Sequence, residues 1–152
     1  MWFNLRQQVT LPDVYAAEEH WGSKGPSNYD MEYVFKTIDN TDKYRVQVRF
    51  GRVVSARRND QPLEPAQYRY CSMPYLFEIV EDYLRLDSKE SAPRTFAVAT
   101  FDPVDGHLIH YVRSVMPTWD FAKGAARPDQ PSSGAKRERQ EITVSFRRVG
   151  DT

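Results

Sequence analysis

The sequence predicts an α+β domain: a mainly antiparallel sheet of about five or six strands, one principal amphipathic helix over about 72–86 and a short N-terminal helix over about 13–21. Three observations carry this. Residues 29–37 and 43–50 alternate apolar and polar side chains with the period of a strand that has one buried face. The apolar residues of 72–86 recur at steps of three and four, the period of a helix with one buried stripe. Turn residues separate the strand-like runs at short intervals, as hairpins require.

Taken in order, Asp13 to Trp21 follow Pro12 and precede Gly22 and Gly25-Pro26, so a short helix starts and stops there with Val14, Ala17 and Trp21 on one side. Tyr29, Met31, Tyr33 and Phe35 form the apolar face of a first strand, and Tyr44, Val46, Val48 and Phe50 that of a second. Gly51 tolerates positive φ and Val53, Val54 and Ala56 follow, which predicts a tight hairpin about Gly51-Arg52. Asn59-Asp60-Gln61-Pro62 and Pro65 interrupt regular structure. Ser72-Met73-Pro74 then opens the principal helix, whose Leu76, Phe77, Val80 and Leu84 are expected to bury against Tyr33, Phe35, Val46, Val48 and Val98. Residues 94–101 carry almost no charge, the pattern of a strand inside the sheet. Asp102-Pro103-Val104-Asp105-Gly106 is turn chemistry leading into a fifth strand over 107–115. Residues 117–140, with three Pro and the cluster Lys136-Arg137-Glu138-Arg139, read as a long mobile loop before a closing strand over 141–149.

At 152 residues the chain fits one domain and is long enough to bury a core without a disulfide or metal. Lysine plus arginine equals aspartate plus glutamate at 21 each, so the overall field lacks the basic excess of a nucleic-acid binder and any charged site must be local. Cys71 stands alone: no intrachain disulfide can form, and no Cys/His set has zinc spacing. No apolar run reaches the roughly 18 residues of a membrane span.

Candidate chemistry is sparse. His107 and His110 form an H-x-x-H, yet residues three apart on a strand point to opposite faces and cannot hold one ion. Asp102 and Asp105 offer oxygens to a hard cation but suit the turn better, and Glu18-Glu19 and Glu81-Asp82 fall on helix faces where acids are ordinary. No nucleophile elbow, phosphate loop or H-E-x-x-H occurs. No catalytic, cofactor-binding or metal residue is therefore assigned, and no cofactor is expected. Arg45 and Arg49 share the polar face of the second strand, and Arg57 and Arg58 end its hairpin partner. Two readings stand for these residues: a solvated sheet face whose basic residues guard against edge pairing, or, with Arg45, Arg49 and Arg58, a face for an anionic partner.

The ordered set Trp21, Tyr29-x-Met31-x-Tyr33, Val46-x-Val48-x-x-Gly51-x-Val53, Met73-x-x-Leu76-Phe77-x-x-Val80 and Phe101-Asp102-Pro103-x-x-Gly106 resembles an uncharacterised bacterial family of small secreted or lipoprotein-type domains. It departs from the family pattern after the turn glycine, where His107-Leu108 and Val112-Arg113 stand. The resemblance implies an extracytoplasmic, membrane-tethered domain and supplies no catalytic residue. Trp2 and Phe3 at the extreme start are of the kind found beside a span, so an anchor preceding Trp2 and a tether over the first ~10 residues are expected, with a cytoplasmic protein as the alternative. The function expected is non-catalytic binding or scaffolding, toward a protein or acidic partner rather than nucleic acid. The alternative is a hydrolase or ligand-processing domain assembled from distant residues, for example His110 with Asp102 or Asp120.

Overall fold

The computed structural model describes residues 8–116 and 138–150. They form one antiparallel sheet of seven strands: β1 Tyr29–Lys36, β2 Thr41–Arg49, β3 Arg52–Arg58, β4 Gln61–Pro62, β5 Thr95–Phe101, β6 Leu108–Val115 and β7 Arg139–Arg148. Their order in space is β4-β3-β2-β1-β7-β6-β5. Two helices, α1 Leu11–Lys24 and α2 Met73–Asp87, and a 3-10 helix over Pro65–Tyr70 complete the fold. The α+β class stands, with one strand more than expected. Trp2, Phe3, Asp120 and most of the 117–140 segment lie outside the described residues, although Arg139 and Gln140 already belong to β7. None of the described helices is long and apolar enough to cross a membrane.

The additional strand is β4, which a turn at Asn59-Asp60 folds back on β3. Both residues take positive φ (50° and 67°), the geometry of a two-residue hairpin turn that Asn and Asp tolerate. The β2–β3 hairpin turns on Phe50-Gly51, with Arg49 opposite Arg52, rather than on Gly51-Arg52. Asn28 fixes this turn: its Oδ1 accepts from the Phe50 amide at 2.8 Å, which holds Phe50 at φ 53°.

Strand β5 is an edge strand, not an interior one. Its lack of charge has a different cause: the chain before α1 runs along it. The Val9 amide donates to the Ala97 carbonyl at 2.9 Å, and Val9 is buried. That cover protects an edge that charged residues would otherwise have to guard. Residues 8–10 thus belong to the fold, where the sequence predicts a tether over the first ~10 residues. Register also corrects the inward residue of β5. Val98 sits opposite Val112 on the far face, and Ala97 faces the core.

Both helices lie on one face of the sheet. A capping box between Thr10 and Asp13 starts α1, which buries Val14 and Ala17. The first turn of α2 obtains its cap from tertiary structure, since Ser72 makes no side-chain cap: the Met73 amide donates to the Tyr29 hydroxyl at 3.1 Å. Met73, Leu76, Phe77 and Val80 are buried from α2 against Tyr33, Val46, Val48, Tyr111 and Ile142, while Leu84 and Phe35 remain half-buried at the rim. Gly106 carries φ +81°, and a Cβ there would lie 2.3 Å from the Ala17 carbonyl, so glycine lets the β5–β6 turn press against α1.

Where α1 crosses α2, Glu18 meets Glu81. Burial, the Glu81 hydrogen bond and the Glu81 charge together push Glu18 up to about 7. Raised above its unfolded value, this carboxyl contributes stability that is fully present below about pH 4.5 and lost as pH rises through about 7. With allowance for solvent screening, we expect Glu81→Gln to stabilise the protein by about 1 kcal/mol at pH 8 and by much less at pH 5. Chemical unfolding at both pH values checks this, and an equal effect at the two would refute the shared proton.

Candidate functional site

The face of the sheet opposite the helices is the candidate site, and its chemistry follows from register. Directly opposed residues share a face, so one row runs Arg57–Arg45–Glu32–Ser145 across β3, β2, β1 and β7. The adjoining row runs Ser55–Gln47–Asp30–Arg147. These two rows line an open depression of about 450 Å³.

Each acid in it is clamped by two cations. Asp30 takes Arg49 Nη1 at 2.9 Å and Arg147 Nη2 at 2.6 Å. Burial alone would raise its carboxyl, but these two guanidinium groups outweigh burial and hold it below the usual range. Glu32 takes Arg45 Nε at 2.8 Å and Lys43 Nζ at 3.2 Å, which hold it low as well. Arg57 differs. It sits directly opposite Arg45, and among the described residues no carboxylate lies within ion-pair distance of it. A like-charged pair placed across two strands is unfavourable for folding. Among the described residues paired in the strands of this face, Lys36, Lys43, Arg45, Arg49, Arg52, Arg57, Arg139 and Arg147 stand against Asp30, Glu32 and Glu141, with Asp60 of the β3–β4 turn acting on Arg45 as well.

Of the three arginines read from the sequence, the structure brings Arg45 and Arg49 to this face and sends Arg58 to the other. A turn on Gly51-Arg52 would set Arg58 opposite Arg45. The observed turn on Phe50-Gly51, followed by an irregularity after Val53 that leaves Val54 unpaired and half exposed, sets Arg57 there instead. Arg58 opposes Tyr44 on the helix side and binds Asp42 at 3.1 Å. Arg147 was not identified from the sequence. The alternation of 141–149 marks it as outward, but only the β1–β7 pairing puts it beside Asp30.

The two histidines separate, but not by strand alternation: His107 precedes β6, and a register shift at Ile109 leaves Leu108 and Tyr111, three residues apart, both buried on the helix side. His110 lies on the open face with Nε2 2.8 Å from Glu141 Oε2, so its carboxylate is Glu141 rather than Asp102. His107 lies toward α1, its ring stacked on Phe146 at 4.1 Å and its Nδ1 2.5 Å from Asp105 Oδ1. Buried Asp105 also accepts from the His107 amide at 2.9 Å and from Arg148 at 3.2 Å. These bonds outweigh burial and keep its carboxyl low. Asp102, Asp105 and His107 have donor atoms within 4.8 Å of one another. The Asp102 carboxylate, however, receives the Val104 and Asp105 amides, so the cluster's bonds close the turn and tie it to β7. Cys71 is buried, with its thiol pushed up by burial and donating to the Gln67 carbonyl, which leaves little thiolate for nucleophilic chemistry.

In comparisons with known proteins, no family model, no curated protein and no solved structure matches this chain.

Proposed function

We propose that this chain is a non-catalytic binding domain whose uncovered sheet face docks an acidic protein partner. The observation that carries the reading is the Arg45–Arg57 pair: two guanidinium groups opposed across β2 and β3, in an open depression where cations outnumber acids. Glu32 already pairs with Arg45, so an acidic side chain from a partner would chiefly give Arg57 the carboxylate it lacks among the described residues. The paired Asp30 and Glu32 hold the surrounding arginines in position and restrict the site to partners of matching charge pattern. The depression is open rather than enclosed, which suits a protein surface better than an enclosed substrate.

An octaglutamate peptide is the probe. At low salt it is expected to shift the amide resonances of β1, β2, β3 and β7, with affinity falling as ionic strength rises. Arg45→Glu with Arg57→Glu should abolish the shifts while leaving the thermal midpoint within a few degrees. Peptide binding that survives this double reversal rejects the docking face.

We further place the domain outside the cytoplasm, tethered at its N-terminal side, on the family resemblance and on Trp2 and Phe3. Recovery of the native protein in the membrane fraction is the expected finding. Native protein in the cytosol would end this part of the reading.

A further inference from the structure

A second site lies on the opposite side of the sheet and is independent of the docking face. Between the 3-10 helix, the first turns of α2 and the ends of β1–β3 there is a pocket of about 360 Å³. Its character is aromatic. Tyr33 and Tyr44 stack at 4.6 Å with their planes 12° apart, and Tyr70 and Tyr75 meet edge to face at 5.5 Å. Leu63 and Ile79 add aliphatic wall and are only half-buried, although both rest against the core. Apolar side chains that reach the core yet stay partly open around a concave space are what a small ring compound covers.

One end of the pocket is charged, and both signs are present. Asp42 and Arg58 line it together, joined at 3.1 Å, and Asn59 Nδ2 donates to the second Asp42 oxygen at 3.0 Å. The Arg58 side chain is half exposed and donates to Asp42 through Nη2, so it keeps further N–H groups for another acceptor. A simple anion would meet the Asp42 charge, and a simple cation would meet Arg58. A head group bearing both charges side by side satisfies both, setting its ammonium on Asp42 and its carboxylate on Arg58.

We propose that this pocket binds a small zwitterionic aromatic molecule of the aromatic amino-acid class, with the ring among the tyrosines and the α-ammonium and α-carboxylate on Asp42 and Arg58. The two charges explain why a neutral ion pair stands at the mouth of an apolar pocket. The β2–β3 register, which sets Arg58 opposite Tyr44, is what brings this cation to the pocket.

The test uses L-phenylalanine, 3-phenylpropionate, which lacks the ammonium, and phenethylamine, which lacks the carboxylate. Each is titrated calorimetrically into the full chain, with amide shifts of Tyr44, Arg58 and Cys71 locating the site. L-phenylalanine is expected to bind with a dissociation constant at or below about 1 mM, and each truncated analogue about tenfold more weakly. Arg58→Met should weaken L-phenylalanine about tenfold without affecting phenethylamine, and Asp42→Asn should do so without affecting 3-phenylpropionate. Ile79→Trp, which fills the cavity, should abolish binding of all three, and Arg57→Glu on the other face should change none. Thermal midpoints confirm that the variants are folded. Absence of L-phenylalanine binding at 10 times that concentration, or equal binding by the Arg58→Met and Asp42→Asn variants, overturns the proposal.

Discussion

Phe77→Ala is expected to destabilise the protein by about 3–5 kcal/mol and to lower its thermal midpoint by roughly 10 °C or more. Phe77 is 1% exposed, stacks on Phe101 at 6.0 Å, and occupies the stripe of α2 that also buries Leu76 and Val80. Truncation removes a whole ring from a space walled by the sheet on one side and the helix backbone on the other, neither of which can collapse far. Phe96→Ala is the control. Phe96 lies on the open face at 43% exposure, so the same change of residue should cost less than about 1 kcal/mol. Urea unfolding of both variants decides the matter, and comparable losses in the two would contradict the assignment of α2 to the helix-covered face.

Asp87→Ala should cost a similar amount, about 3–5 kcal/mol, for an electrostatic reason. Arg113 on β6 points into the fold with a side chain only 3% exposed, and Asp87 at the end of α2 binds it through both oxygens at 2.5 and 2.8 Å. Gln140 accepts from its Nη1 at 2.8 Å, and the guanidinium lies 4.7 Å over the Tyr83 ring. Without Asp87 the cation stays buried with only the Gln140 oxygen, the ring and Glu138, 3.5 Å away and largely solvent-exposed, to compensate it. Replacing both partners by apolar residues, Asp87→Leu with Arg113→Met, should recover most of the loss, because desolvation of the charges is removed together with their attraction. A double variant no more stable than Asp87→Ala would show that the pair contributes more than mutual compensation.

Much of this architecture was legible in the sequence because period and punctuation are local signals. The alternation of 29–37 and 43–50, the three- and four-residue steps of 72–86 and the Asp-Pro-x-Asp-Gly turn each mark an element within a residue or two of its observed bounds, since burial of one face dictates the residue at every position along it. Composition likewise restricts charge chemistry to local patches. What only the tertiary structure decided is which residues stand opposite one another. A one-residue difference in the β2–β3 turn, with Val54 left unpaired after it, exchanges Arg57 for Arg58 on the open face. An N-terminal segment lying along β5 turns an uncharged strand into a protected edge. Pairing of β1 with β7 brings Arg147 to Asp30 across 117 residues of chain. Register, edge cover and long-range pairing depend on contacts between segments far apart in the chain, and local residue preference carries no information about them.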